Sequence, residues 1–181
     1  MDCLANPYTL LLLFFTSLAT AQYAPPLLDH IGPDGRLAEG QNESSQYQTL
    51  MKALKATDLA ELLDNGGNFT VFAPSDKAFQ RWSAEKLSGL MLPENREELR
   101  AMLSYHIIAG KLTAASILRA LCRGMGSATF TTVQGNEILA SMEGIDIVLT
   151  DCSGNTARIT TADSERPHGV VHVIDRVILP R

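Results

Sequence analysis

The sequence predicts an α+β fold in which a group of helices precedes a set of antiparallel strands. Apolar residues recur at helical spacing between residues 45 and 121, and one short strand-like run at 69–72 interrupts them. From residue 129 onward, β-branched runs alternate with turns that contain glycine. Short links of this kind favour antiparallel pairing, and the separation of helices from strands along the chain is typical of the α+β class.

The first 21 residues have the pattern of a secretory signal peptide. An uncharged apolar run covers 10–18, and Ala19-Thr20-Ala21 supplies the small residues expected before a cleavage site. The segment before this run contains no Lys or Arg, so a buried N-terminal helix is the alternative. The run is too short to cross a bilayer, which takes roughly 20 residues. We expect cleavage after Ala21 and secretion of the remaining chain.

Charge and hydropathy exclude two other classes of protein. Fifteen basic against twenty acidic residues give a net charge of −5, and nucleic-acid binding through a general field needs the opposite balance. No later apolar run resembles a membrane span. The last residues, Leu179-Pro180-Arg181, are not the hydrophobic tail of a lipid-anchor signal. We expect no membrane span, no lipid anchor and no nucleic-acid partner.

The ordered domain is expected at residues 45–180. Residues 22–44 contain several Pro and Gly without periodicity and predict an extended lead-in. Ser44 or Ser45 then provides a cap for the first helix. A second short helix is expected from Thr57 or Asp58 until Asn65-Gly66-Gly67, where residues that tolerate positive φ stop it.

A strand at 69–72 and a long helix come next. Ser75 stands where it can cap a helical turn, and Asp76 follows where the helix dipole favours negative charge. After a loop, Pro93 introduces the strongest helix, which Gly110 ends. His106 is the last residue on the apolar face of this helix. The remaining expected elements are a short helix at 113–121 and strands at 129–133, 137–141, 145–150, 158–161 and 170–179.

Three segments in this order resemble the fasciclin-like (FAS1) domain family. They are residues 70–79, the pair Tyr105-His106, and residues 169–180. The resemblance covers 45–180 and implies a wedge-shaped antiparallel β-sandwich flanked by a helical layer. It also implies adhesion at the cell surface or in the extracellular matrix, with matrix proteins, integrin-like receptors or glycans as partners.

The Tyr105-His106 pair has two interpretations. In some family members this motif is implicated in integrin contact, which makes Tyr105, His106, Ile107 and Ile108 candidate partner-binding residues. The structural interpretation follows from the helix, because His106 continues its apolar face and a buried ring needs a hydrogen-bond partner. Our hypothesis is that Ser75 or Asp76 provides that partner and joins helix to strand.

We expect no metal, cofactor or catalytic residue. His168 and His172 are four residues apart, but in a strand this spacing separates them by about 13 Å, too far to share one ion. The chain has no nucleophile elbow, zinc-protease helix or phosphate-binding loop motif. The resemblance and these absences together predict a protein that is not an enzyme.

Two kinds of covalent modification are candidates after export. Cys122 and Cys152 are the two cysteines left once the signal peptide is removed. A disulfide between them is one interpretation, and two separately buried thiols are the alternative. Asn42 and Asn68 each begin an N-x-[ST] sequon and are candidate glycosylation sites.

The expected function is therefore a secreted adhesion or interaction module. The alternative is a secreted carrier of an apolar small molecule or glycan, with an apolar groove lined by Leu99, Met102 and Leu103. At helical spacing such residues are usually core.

Overall fold

The computed structural model describes residues 46–180, and within them the chain forms six α-helices and seven β-strands. The elements in order are α1 (Gln48–Ala56), α2 (Leu59–Asn65), β1 (Phe69–Pro74), α3 (Asp76–Trp82), α4 (Ala84–Leu90), α5 (Arg96–Tyr105), β2 (Ile107–Ala109), α6 (Ala114–Arg123), β3 (Ser127–Thr131), β4 (Glu137–Glu143), β5 (Asp146–Thr150), β6 (Thr156–Arg166) and β7 (Gly169–Ile174). A 3-10 turn, Pro93–Asn95, leads into α5. The predicted signal peptide and lead-in lie outside the described residues.

The strands form one hydrogen-bonded sheet in the order β2-β1-β7-β6-β5-β4-β3. Strands β3 to β7 follow one another as antiparallel neighbours, as their short links predict. Strands β1 and β7 instead run parallel, with Phe69 opposite Gly169 and Pro74 opposite Ile174. This pair corrects the expectation of a purely antiparallel system. It was invisible in the sequence because about a hundred residues separate the two strands.

Strand β6 divides the sheet into two parts that face each other. Its first residues pair with β5 and its later residues pair with β7, and two irregularities lie between Ile159 and Ser164. Bulges of this kind bend a strand and re-aim its side chains. As a result, Phe72 and Ile174 from one part pack with Ile138 and Leu149 from the other. The fold is the predicted sandwich with helices, so the α+β fold class is confirmed.

Strands β1 and β7 are buried on both faces, because each contributes to two apolar cores. Val71, Ala73 and Val173 face the helices and pack with α1 and α5, whereas Phe72 and Ile174 face the second part of the sheet. A strand covered on both sides has no solvent-facing side, which explains why both strands are mostly apolar and why their polar residues, Thr70 and His172, are buried. The strand portions of two family-like segments, β1 and β7, therefore lie at the centre of the domain.

Several elements differ from the sequence expectation, and three of these differences bear on the site. The region expected to be a loop before Pro93 contains α4, which Ser83 caps by accepting a hydrogen bond from the Lys86 amide. The long helix ends at Tyr105, and Ile107–Ala109 form strand β2 beside β1. The last strand ends at Ile174, so the residues after it form an irregular C-terminal segment.

Candidate functional site

The loop between β1 and α3 binds the start of the first helix. Ser75 caps α3 by accepting a hydrogen bond from the Ala78 amide at 3.1 Å. The Asp76 carboxylate accepts the amides of Thr49 at 2.8 Å and Gln48 at 3.1 Å, which are among the unpaired N–H groups of the first turn of α1. Partial burial acts to raise the pKa of Asp76, but these hydrogen bonds outweigh it and hold the pKa below its ordinary value.

His106 lies at the centre of the domain, but its partners are not those proposed from the sequence. Its ring is 1% exposed, and its Nε2 atom accepts a hydrogen bond from the Ile178 amide at 3.4 Å. The proton is therefore on Nδ1, which donates to the Met102 carbonyl at 2.9 Å. Ser75 and Asp76 are occupied with helix ends, so the hypothesis that one of them holds His106 is wrong. The ring instead connects α5 to the C-terminal segment.

Burial keeps this imidazole neutral. Removal from water lowers the pKa of His106 to about 4, and the hydrogen bond to Met102 opposes the shift only in part. The neutral ring fits its surroundings, because one nitrogen donates and the other accepts. A protonated ring would have two donors and would face the Ile178 N–H with no acceptor.

The other residues of the candidate contact group also belong to the core. Tyr105, Ile107 and Ile108 are 0%, 0% and 7% exposed. Ile107 packs in the helix-side core, and Tyr105 and Ile108 pack in the core between the two parts of the sheet. All four candidate contact residues are therefore buried in the folded domain, and this burial favours the structural interpretation of the motif.

Tyr105 also has a polar connection. Its hydroxyl donates to the Glu137 carbonyl at 2.9 Å and so joins the end of α5 to the start of β4. Burial is the main cause that raises the pKa of Tyr105 to about 12. The motif thus supplies two hydrogen bonds to distant parts of the chain, one from each residue.

Asp151, which the sequence analysis did not single out, fixes the C-terminal segment from the other side. Its carboxylate accepts the amides of Ser153 and Asn155 within its own turn, the Asn155 side-chain amide, and the Leu179 amide at 3.1 Å. Burial opposes ionisation, yet these four donors hold the pKa of Asp151 below its ordinary value. The Asp-x-Ser-Gly-Asn pattern at 151–155 signals such a turn, but not its long-range partner.

The second buried histidine is a structural group as well. His172 in β7 stacks on Phe72 with ring centroids 5.7 Å apart. Its Nδ1 accepts the Asp163 amide, and its Nε2 donates to the Leu112 carbonyl at 2.8 Å. Neither nitrogen is left for a metal, and His168 is exposed in the turn before β7. Among residues 46–180, no group of three or more His, Cys, Asp or Glu residues is placed to hold a metal ion.

The predicted disulfide is not formed, and both cysteines are free thiols. Leu121 is buried on α6, so the next residue, Cys122, is rotated about 100° around the helix and faces solvent. Cys152 lies in the turn after β5, where its thiol contacts the Leu179 carbonyl at 3.6 Å. The even number of cysteines was therefore a misleading signal.

Of the two sequons, only that of Asn68 lies within the described residues. Asn68 is exposed immediately before β1. The threonine of this sequon, Thr70, is fully buried, and its hydroxyl donates to the Gly110 carbonyl and accepts the Leu112 amide. Asn42 lies outside the described residues.

Two adjoining grooves flank Trp82, the one tryptophan of the chain. The first, of about 580 Å³, is lined by Trp82, Leu90, Met102 and Leu179 among others. Leu99 and Leu103, the other residues expected to line an apolar groove, are closed within the core. The second groove, of about 550 Å³, adds Arg81 and Arg176 to Trp82 and Leu179. Trp82, which the sequence analysis did not single out, is half-buried.

These observations define a class of protein: an α+β sandwich whose three distant motif segments hold one another in the core. Residues 45–180 match the Fasciclin domain family, and the chain belongs to that family. The resemblance seen in the sequence is therefore confirmed.

Named relatives and a solved structure agree with this assignment. The chain is 39% identical over 138 residues to protein sll1483 of Synechocystis, covering 74% of this chain and 67% of the relative. It is 29% identical over 142 residues to human periostin, covering 78% of this chain and 15% of periostin. A FAS1 domain pair from the insect cell adhesion molecule fasciclin I superposes with a TM-score of 0.58 at 26% identity, over 75% of this chain and 46% of that one.

Across residues 46–180, none of the helices has the length and apolar character needed to cross a membrane.

Proposed function

We propose that this protein is a secreted interaction module that binds extracellular proteins or glycans through its surface and has no catalytic activity. The observation that carries the proposal is the Fasciclin match, which extends over all the described residues. The similarity to a domain pair of an insect cell adhesion molecule supports adhesion as the kind of interaction.

The state of the titratable groups supports a role without chemistry. The groups with shifted pKa values are Asp76, Tyr105, His106, Asp151 and His172. Each has a hydrogen bond to the backbone of another part of the domain. Perturbed groups often mark reaction centres, but here the same perturbation follows from structural burial. Binding through the exterior requires direct contact with none of these groups.

Retention of partners by immobilised protein tests this function directly. The full chain is coupled to a surface, exposed to native extracellular fluid, and the retained molecules are identified by mass spectrometry. An unrelated acidic protein of similar size is the control for charge. We expect enrichment of matrix proteins or glycans, and support of cell attachment by the coated surface. If neither exceeds the acidic control, the proposed function is wrong.

A conservative variant separates surface binding from the buried motif. Tyr105→Phe removes the hydrogen bond to Glu137 but keeps the ring in the core. We expect a lower melting temperature and unchanged retention of partners at temperatures where the variant is folded. A selective loss of retention at full folding would restore the motif as a contact site.

We further propose that residues 1–21 are a cleaved export signal, that 22–44 form an extended lead-in, and that Asn42 and Asn68 carry glycans in a eukaryotic host. The exposure of Asn68 supports the second glycan site. Secretion from cultured eukaryotic cells, followed by N-terminal sequencing and glycosidase treatment, tests all three. We expect Gln22 at the N-terminus and a mobility shift that Asn42→Gln and Asn68→Gln each reduce. An uncut N-terminus in the medium contradicts the signal, and an unchanged shift contradicts the corresponding site.

The first groove supports a second candidate function, carriage of an apolar ligand. Its volume of about 580 Å³ falls within the usual range for small-molecule sites. Leu90, Met102 and Leu179 give it apolar walls, and Trp82 closes one side. Carriage predicts a ligand in the organic extract of purified protein and no cell attachment, the opposite of the adhesion result.

A further inference from the structure

The second groove beside Trp82 has the composition of a ligand site. Three separate parts of the chain line it: the end of α3, the turn between β5 and β6, and the C-terminal segment. The residues that the argument uses are Arg81, Trp82, Asn155, Thr156, Arg176 and Leu179.

The groove is positively charged on a protein of net negative charge. Arg81 and Arg176 line it, and none of its lining residues is acidic. Within residues 46–180 neither arginine belongs to an ion pair, whereas Arg96, Lys111 and Arg158 each pair with a carboxylate. The whole chain carries a net charge of −5. Two unpaired guanidinium groups in one groove are suited to carboxylate ligands, which they bind with two parallel hydrogen bonds.

Trp82 adds a flat apolar surface to the groove that Arg81 and Arg176 also line. It is half-buried, so part of the indole lines the groove and part contacts the helix-side core. The junction with α4 fixes its position, because Ser83 adopts a φ of 151° and caps the next helix with its hydroxyl. An aromatic ring held in this way offers contact area at little cost in conformational entropy.

Two polar side chains, Asn155 and Thr156, also line the groove. The Asn155 side-chain nitrogen donates to Asp151, and the side-chain oxygen is a hydrogen-bond acceptor. Thr156 contributes a hydroxyl, which can both donate and accept. Sugar hydroxyl groups have the same dual character.

We propose that this groove binds an acidic polysaccharide. One pyranose ring packs on Trp82, and carboxylate groups of the polymer are held by Arg81 and Arg176. Asn155 and Thr156 bond to ring hydroxyls. The inference rests on the proposed function, of which it names the ligand class. The net negative charge of the protein opposes any polyanion, and most strongly a duplex nucleic acid with one charge per about 1.7 Å, so a uronic acid polymer fits better.

Fluorescence of the full chain gives a direct assay, since Trp82 is its one tryptophan. Oligogalacturonate is titrated at neutral pH, and neutral dextran oligosaccharide, dextran sulfate and a single-stranded DNA oligomer are titrated in parallel. Calorimetry provides the affinity independently of the fluorophore. We expect a saturable change in Trp82 emission with the uronate and none with neutral dextran.

The variants distinguish a site from general attraction. Loss of two charge-assisted contacts in Arg81→Gln/Arg176→Gln is expected to weaken uronate binding by about 10-fold or more. Arg100→Gln/Arg123→Gln removes the same charge from exposed positions outside the groove, and we expect less than about a 2-fold effect, since such charges act only at long range. By calorimetry, Trp82→Phe is expected to weaken binding by about 5-fold, because the smaller ring loses contact area.

Each contrary result has its own meaning. If the two double variants weaken uronate binding equally, or if neutral dextran binds as well as the uronate, the groove is not the binding site. Binding of dextran sulfate or DNA in preference to the uronate overturns the assignment of the ligand. If no anion binds while immobilised protein still retains other partners, this inference fails and the proposed function stands.

Discussion

Mild acid should destabilise this domain through one buried ring, and a single substitution should remove most of that effect. In the unfolded chain His106 has an ordinary pKa near 6.5, and in the folded domain burial lowers its pKa to about 4. Between these values the unfolded state binds more protons than the folded state. The free energy of unfolding therefore falls as the pH decreases from about 6.5, and the His106 contribution levels off below about 4.

The size of the effect follows from the two pKa values. Their difference corresponds to roughly 3 kcal/mol at full protonation, of which about 2 kcal/mol is lost between pH 7.5 and pH 5. For a domain of this size, that loss lowers the urea midpoint by roughly 1 M. His172 shifts in the same direction through burial and adds to the total.

His106→Gln isolates the contribution of this ring, because glutamine retains a donor and an acceptor but does not titrate. We expect a variant that is less stable at pH 7.5 and whose urea midpoint falls by roughly 1 M less on acidification. Unfolding is followed by Trp82 fluorescence. His168→Gln, which removes an exposed imidazole, is the matched control and should keep the full pH dependence. If His106→Gln keeps it too, the ring is not held neutral by burial and the reasoning is wrong.

Three further substitutions test other parts of the core. Asp151→Ala leaves the Leu179 amide and three other donors without their acceptor, and should cost about 3 kcal/mol in urea unfolding; a loss below about 1 kcal/mol contradicts this role. Gly169→Ala places a Cβ atom 1.8 Å from the Phe69 carbonyl oxygen, at a backbone φ of +148°. This variant should not be secreted as folded protein, or its melting temperature should be sharply lower. A wild-type melting curve refutes the close approach. Thr70→Val removes two buried hydrogen bonds and should cost about 2 kcal/mol, whereas Thr70→Ser should cost less than about 1 kcal/mol; equal costs would show that packing matters more than the hydroxyl.

Local features of the fold could be predicted from the sequence because they depend on residues close together in the chain. Ser75 caps α3 through the amide three residues later, and glycines mark the turns between β3, β4, β5 and β6. The α+β class follows from such signals alone. The family resemblance also depended on short motifs, which can be read without knowing what they contact.

The partners of those motifs could not be predicted, because they are joined only by the folded chain. The hypothesis that Ser75 or Asp76 holds His106 used the correct principle, that a buried ring needs a partner, but named the wrong groups. His106 is 72 residues from its Ile178 partner, and the chain between them offers no pattern that specifies this pair. The parallel pairing of β1 with β7 was missed for the same reason.

The position of the candidate ligand groove shows why motif recognition and site recognition diverge in this domain. The recognisable residues Tyr105, His106 and Gly169 are constrained by burial, so they identify the fold and are out of reach of a partner. The residues of a surface site are not constrained by burial. Here they come from α3, the turn between β5 and β6, and the C-terminal segment. In the sequence, only the adjacent Arg81 and Trp82 could have pointed to it, and a cation beside an aromatic residue is too common to be specific. The contact of Ile178 with His106 and of Leu179 with Asp151 is what brings Arg176 to the same groove. In the proposed site the buried motif therefore acts indirectly, because it holds the segment that carries Arg176.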